Sequence, residues 1–249
     1  DIKVKLIIHG DFNDHISIPY SSLRISAKNE FFNQLKQFIL FRPQTRRYEG
    51  EVFGTLFFKK IGIISPYTKY IKVQINENDF FTYIFQEKIN KYLLERNGLR
   101  EDPIIEYDEK NKWNKYTQNI GTDNSLDFYK LENSNYVNKD FGIDKIFKTV
   151  TLKQIIRPGS NLENNLFESS MLIFGACHGL ADHNRKYYFD SLNSKFLPIY
   201  YDGMFFYDKT YNLCENERND QKFFYSKEIF NYLSNFLNNK SFKKELEKE

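Results

Sequence analysis

HGLADHNRKYYFDSLNSKFLPIYYDGMF, residues 178–205, decides how the chain is read. It begins where an apolar stretch with helical spacing over residues 164–179, LFESSMLIFGACHG in its later part, gives way to the polar loop LADHN. Two strand-like runs follow, Tyr187 to Phe189 and Phe196 to Tyr201, around the turn DSLNSK. The stretch then closes on YYDG and MF.

A buried helix, a loop acid, a hairpin and a second acid are the order in which protein kinases bring a catalytic Asp and a metal-binding Asp to one cleft. On this reading Asp182 accepts or orients the proton of an attacking hydroxyl, Asn184 offers an amide oxygen to Mg²⁺, and Asp202 holds Mg²⁺ against nucleotide phosphates. Gly203 lets the backbone turn behind the metal ligand. The usual kinase loop carries its Asn five residues after the Asp, where this chain has Tyr187. Asp and Asn in loops are ordinarily solvated turn residues. Here, though, Asp202 ends the apolar run FLPIYY, while His178, Asp182, His183 and Asn184 crowd the end of a buried helix. Polar groups so placed need partners or a function.

Upstream, residues 2–8 alternate Lys with apolar residues as a half-buried strand does, HGDFNDH turns at Gly10, and SLRIS (residues 22–26) alternates again as a return strand. From Thr45 the spacing of Tyr48, Val52, Phe53, Leu56, Phe57 and Ile61 predicts an amphipathic helix, with Gly62 at its C-terminal cap. YIKVQI (70–75) and FFTYIF (80–85) form a hairpin around NEND. Residues 88–96 read as a short helix and PIIEYDE as an extended piece. Residues 110–140, rich in Asn, Asp, Lys and Ser, read as a long surface insertion. Helical spacing returns over 141–156 and over a C-terminal tail at 226–246.

The 249 residues suffice for a core that folds without staples. With 25 Phe and 18 Tyr, that core is built largely from rings. Charge is nearly balanced at +3, and its two signs are interleaved, so a nucleic-acid surface gains no support. Cys177 and Cys214 are far apart and in no CxxC pattern, which excludes a zinc ribbon and gives no disulfide framework. A reducing cytoplasm is the default compartment, with cell-envelope association if an N-terminal segment is missing. No apolar run is long enough to span a membrane.

In order, FRPQTRRYEGEVF, IKVQINENDFFTYIFQEKINKYLLE, REDPIIEYDE, LIFGACHGLADHNRKYYFD and FLPIYYDG resemble a divergent bacterial branch of the CotH family, the spore-coat kinases and their relatives. The resemblance runs from about Lys3 to Gly203 and rests on the order and spacing of several moderate motifs. It implies an α+β, two-lobed atypical kinase fold over residues 1–249, lacking some N-terminal sequence. A small antiparallel-sheet lobe with one helix (about 1–95) would precede a mainly helical lobe (about 96–249). It further implies ATP with Mg²⁺ or Mn²⁺, and phosphate transfer to a Ser/Thr hydroxyl of a protein substrate.

Matched residue by residue, Thr45, Arg46, Tyr48 and Glu51 correspond to the family's acid-bearing helix, making Glu51 the partner of a phosphate-gripping cation, with Glu49 as fallback. SLRIS corresponds to the strand before that helix, which points to Arg24 as the cation and Lys28 next. Gln86 and Glu87 stand where a hinge would contact adenine or ribose. The loop HGDFNDH, with one Gly, departs from a phosphate-cradling Gly-rich loop. An inactive pseudokinase or an assembly module is therefore an alternative. A metal-dependent hydrolase using His9, Asp11, Asp14 and His15 with His178, Asp182 and His183 is a third reading, although no HExxH spacing supports it.

Overall fold

The computed structural model describes residues 2–10, 15–16, 20–28, 35–107, 129–131 and 162–205. The expected helices over 141–156 and 226–246, and the insertion at 110–140 apart from 129–131, lie outside them.

The fold is α+β, with two antiparallel sheets and three helices among the described residues. In the first sheet, β1 (Val4–Ile8), β2 (Leu23–Ala27), β3 (Gln37–Phe41), β4 (Thr68–Gln74) and β5 (Phe80–Glu87) lie in the order β1-β2-β3-β5-β4. β1 and β2 pair from Val4 opposite Ala27 to Ile8 opposite Leu23, so the sequence HG after β1 and Ser22 before β2 meet at one end. α1 (Glu49–Lys60) connects β3 to β4. It follows a 3-10 turn, Pro43–Arg46. Gly62 closes the helix at φ +83°, with the Gly62 N–H on the Lys59 carbonyl and the Ile63 N–H on that of Phe58, the left-handed cap that the sequence predicts.

Two strand readings change. β1 was expected half-buried, but all five of its residues are exposed, because it is an edge strand. β3 has no counterpart in the sequence reading. Its run QFILF does not alternate because it is covered on both sides: Ile39 and Phe41 pack with Val52 and Ile84 toward α1, while Phe38 and Leu40 pack with Leu23, Tyr83 and Phe85 on the opposite face. The strand directly before α1 is therefore β3 and not SLRIS, which is β2.

The second half was expected to be mainly helical. The described residues of that half hold a four-stranded antiparallel sheet, β7-β6-β8-β9, from β6 (Ile104–Tyr107), β7 (Tyr129–Leu131), β8 (Lys186–Asp190) and β9 (Lys195–Ile199), while two of its expected helices lie outside them. Two helices accompany it, α2 (Lys91–Arg96), capped by Asn90 on the Tyr92 N–H, and α3 (Leu162–Ile173). α3 is shorter than the apolar run that encodes it. Its chain turns after Ile173, the Ala176 N–H reaching back to the Met171 carbonyl, and continues as the 3-10 turns Cys177–Leu180 and Asp182–Asn184.

One aromatic core joins the halves. Phe57 and Phe58 of α1 pack with Phe167, Met171 and Phe174 from the α3 segment and with Tyr200 and Phe205 from the strand exit. Ile64 pairs with Ile199, and the Tyr200 N–H donates to the Ile64 carbonyl at 2.8 Å. α1 accepts this neighbour because it carries glycine at its face: a Cβ on Gly54 would lie 2.4 Å from the Tyr200 hydroxyl, and one on Gly50 2.5 Å from the Phe205 carbonyl.

Gly54→Ala tests this approach. On an isolated helix the change gains about 1 kcal/mol. Here the overpacking should dominate and destabilise the protein by about 1–3 kcal/mol in chemical denaturation. An unchanged or raised midpoint would show that Tyr200 does not lie against the helix.

Candidate functional site

Asp202 follows β9 and Tyr200–Tyr201, at a left-handed φ of +49° that Asp tolerates better than most residues. It is 6% exposed. Its Oδ2 lies 3.0 Å from Nη1 of Arg46, itself 4% exposed, and 3.5 Å from Nε2 of His178. Oδ1 is buried without a hydrogen-bond partner. Burial alone would raise the Asp202 carboxyl, but the Arg46 guanidinium, then His178 and His15, outweigh it and hold the group below its ordinary value.

Arg46 reaches this position from the turn before α1. Its guanidinium carbon sits 3.9 Å from the centroid of the Phe41 ring, and Nη1 also donates to the Thr45 carbonyl at 3.1 Å. The chain passes from Arg46 to α1 through Arg47 and Tyr48, both with positive φ, the latter at φ 52° and ψ −117°. Such backbone in a bulky residue is costly and persists only where its surroundings fix it.

Glu51, in the first turn of α1, is fully buried. Its Oε1 accepts from Gln86 Nε2 at 2.8 Å and its Oε2 from the Tyr200 hydroxyl at 3.0 Å. Burial first, then the neighbouring Asp202 charge, push the Glu51 carboxyl up to about 7, against the pull of Arg46 and of its two hydrogen bonds. The Arg46 charge acts on both carboxyls, and Asp202, the one in contact with it, holds the lower proton affinity.

The β1–β2 end of the first sheet closes the site. Arg24 Nη2 donates to His9 Nδ1 at 3.0 Å. Because arginine only donates, that nitrogen is unprotonated. Burial, followed by Arg24, Arg46 and His15, lowers the His9 pKa to about 3, so the ring is neutral. His15 returns onto the sheet with Nδ1 3.1 Å from the Ser22 hydroxyl, and both His rings lie against Phe41.

The residues singled out from sequence fall into three groups. Asp202 and Glu51 meet in one buried cluster around Arg46, and Arg24 lies beside it through His9, without a bond to Glu51. Asn184 is one step from Asp202: its Nδ2 donates to the carbonyl of His178, the residue whose ring faces Asp202, at 2.9 Å. Asp182 opens the same turn. Of these, Asp202 Oδ1 is the oxygen whose buried, unpartnered state fits a hard divalent cation, with Asn184 Oδ1 of matching donor type.

The third group points elsewhere. Lys28 is exposed at the far end of β2, its N–H on the Lys3 carbonyl. Gln86 and Glu87 do not follow β5 but are its last two residues, buried, with Gln86 bonded to Glu51 and Thr68 and Glu87 to the Tyr67 N–H and Arg96. Their side chains are committed inside the protein. Glu49 is exposed.

Sequence reasoning gave Arg46 no role of its own and did not weigh Tyr200 or Arg185. Arg185 is buried and ties the loop to α3, its Nε donating to the Leu180 carbonyl and its Nη1 meeting Glu168 at 3.2 Å. The available signal was position: arginine in DHNR and in PQTRR flanks apolar runs, where an unpaired charge is not tolerated. Among the described residues no group of three or more His, Cys, Asp or Glu side chains is placed to hold a metal ion, and Asp11 and Asp14 of the hydrolase reading lie outside them. No helix there is long and apolar enough to cross a membrane. The chain matches no protein-family model and no curated protein.

A Glu51→Gln variant tests the raised Glu51 carboxyl. A folded-state pKa of about 7, above the ordinary 4.5, means that the folded protein keeps a proton that the unfolded chain has released. That contribution is complete below about pH 4.5 and is lost as pH rises to about 7. Wild-type stability should fall over this window, and Glu51→Gln should flatten the fall by about 1–3 kcal/mol in urea titrations at pH 5 and 7.5. A variant with the wild-type slope would place the Glu51 charge elsewhere.

Proposed function

We propose that the chain is a CotH-like atypical kinase that binds ATP with Mg²⁺ or Mn²⁺ and transfers the γ-phosphate to a Ser/Thr hydroxyl of a protein substrate. The observation carrying this reading is the buried cluster of Asp202, Arg46 and Glu51, whose Asp202 Oδ1 is left without a partner. A five-stranded antiparallel sheet whose third strand leads into a helix bearing a buried acid supports a kinase small lobe.

Asp202, with Asn184 beside it, would hold the divalent ion, which supplies charge neutralisation for the phosphates. Arg46, with Arg24 on the adjacent strand, would grip phosphate oxygens; a guanidinium stays charged and binds phosphate in two-pronged fashion. In this reading the cation comes from the turn after β3 and not from a strand. Asp182 would take the proton of the acceptor hydroxyl.

A second reading, a nucleotide-binding pseudokinase, is favoured by one observation. The link between β1 and β2 holds a single glycine and folds His15 back against Ser22 and Phe41, where a phosphate-cradling loop would present backbone N–H groups.

Thermal-shift titration with ATP and Mg²⁺ or Mn²⁺ tests the common premise. Saturating ligand at about a hundred times Kd should stabilise the fold by about 2.7 kcal/mol. No shift with any nucleotide and metal pair would end both readings. Asp202→Ala should abolish metal-dependent nucleotide binding. Asp182→Ala should preserve binding and reduce transfer at least about a hundredfold, the usual range for a lost acid–base group. Equal loss of binding in both would contradict the division of roles.

A further inference from the structure

Arg46 and Asp202 neutralise one another at 3.0 Å in a site where both are almost wholly withdrawn from water. Each nevertheless keeps one buried atom unpartnered, Nε of Arg46 and Oδ1 of Asp202. A fully built structural ion pair would satisfy those atoms. Half-satisfied groups on both partners mark a pair that has other ligands to take.

Among the described residues, His178 is the second basic group on Asp202, 3.5 Å from the same Oδ2. Glu51 has both oxygens engaged by Gln86 and Tyr200, and His9 is neutral with its Nδ1 held by Arg24. A divalent ion arriving alone at Asp202 would meet the Arg46 charge inside a region of weak dielectric screening, offset only by the nearby Glu51 carboxyl. A polyphosphate arriving alone would meet the Asp202 carboxylate in the same way. Arriving together, the two ligands compensate one another, and the guanidinium turns from carboxylate to phosphate. Arg24, whose Nε also lacks a partner, joins the same end of the sheet through His9.

Resting on the nucleotide-and-metal reading above, we propose that Arg46 is the counter-ion that closes Asp202 to a lone metal ion, so that metal and polyphosphate enter only as a pair. Arg46 is here a positioning residue that sets the order of assembly. Its signature is a gain of binding, which the loss of a merely structural contact does not produce. Removing the guanidinium leaves Asp202 open to metal without nucleotide, and removing the Asp202 charge leaves Arg46 open to nucleotide without metal, a reciprocal coupling between the two sites.

The test measures Mn²⁺ binding by the loss of the free-ion paramagnetic signal, and ATP binding by equilibrium dialysis in excess chelator. Wild type should bind Mn²⁺ with ATP and bind each alone at least about tenfold more weakly. Arg46→Met should gain about tenfold or more in affinity for Mn²⁺ alone, and Asp202→Asn should gain similarly for metal-free ATP. Asp202→Asn is isosteric and decides the matter by itself if Arg46→Met does not fold. No gain in the folded variants, with Mn²⁺ and ATP still binding wild type together, overturns the counter-ion and leaves the nucleotide reading standing. Failure of wild type to bind the two together overturns both.

Discussion

A guanidinium and a carboxylate in van der Waals reach of aromatic rings, with little water around them, set the arrangement of everything else in this fold. Withdrawing either charge from water costs several kcal/mol, and the pair persists only because each is delivered to the other in good geometry. Arg46 comes from the turn ahead of α1, and Asp202 from the exit of β9, so the pair fixes the helix of the first sheet against the hairpin of the second. Phe41 supplies the floor beneath the guanidinium, and its strand holds the turn in place. Positive φ values at Arg47, Tyr48 and Asp202 lie on the two segments that carry the pair, which is where backbone strain is offset by a well-made contact.

Around this polar centre the protein uses its unusual aromatic content as filler of defined shape. Phe58 stacks on Tyr200 at 4.8 Å, Phe174 on Phe205 at 4.9 Å, and Phe57 meets Phe174 edge-on at the same distance. Tyr200 belongs to both worlds, with its ring in this stack and its hydroxyl on Glu51. The glycines of α1 bring helix and strand exit close enough for that hydroxyl to arrive. Core packing and site geometry are therefore one problem: the tyrosine in the aromatic stack also donates a hydrogen bond to the buried acid.

The sequence made the hairpins and α1 legible wherever one face was solvated, because alternation or helical spacing then survives. β4, β5, β8 and β9 were found within two residues of their ends. QFILF escaped for the opposite reason: burial on both faces erases period two, and a short apolar run cannot be assigned by periodicity. Without that strand, SLRIS reads as the strand directly before the helix, and Arg24 as the cation it carries. Asp202 stood out because it ends the apolar run FLPIYY, whereas Glu51 was pointed to only by the family resemblance. Their arginine was not singled out, since PQTRR reads locally as a polar turn and only the third dimension withdraws one of its two adjacent arginines from solvent. Gln86 shows the same limit, since a terminal strand residue and a hinge residue look alike until the register with Ile39 and Thr68 is known.

The exposed β1 has a bearing on how the protein behaves in solution. Val4, Leu6, Ile7 and Ile8 are each between 44% and 53% exposed, on a strand that no other described strand pairs along its outer side. Apolar side chains beside unpaired backbone groups form a template for another strand, and lysines along such an edge are a common deterrent. Here Lys3 and Lys5 fill that role. Their charge is the guard, so high ionic strength, which screens it, or lysine acylation, which removes it, opens the sheet to edge-to-edge association. Among the described residues, two surface ammonium groups thus guard a sheet edge well apart in sequence from the buried pair that organises the interior.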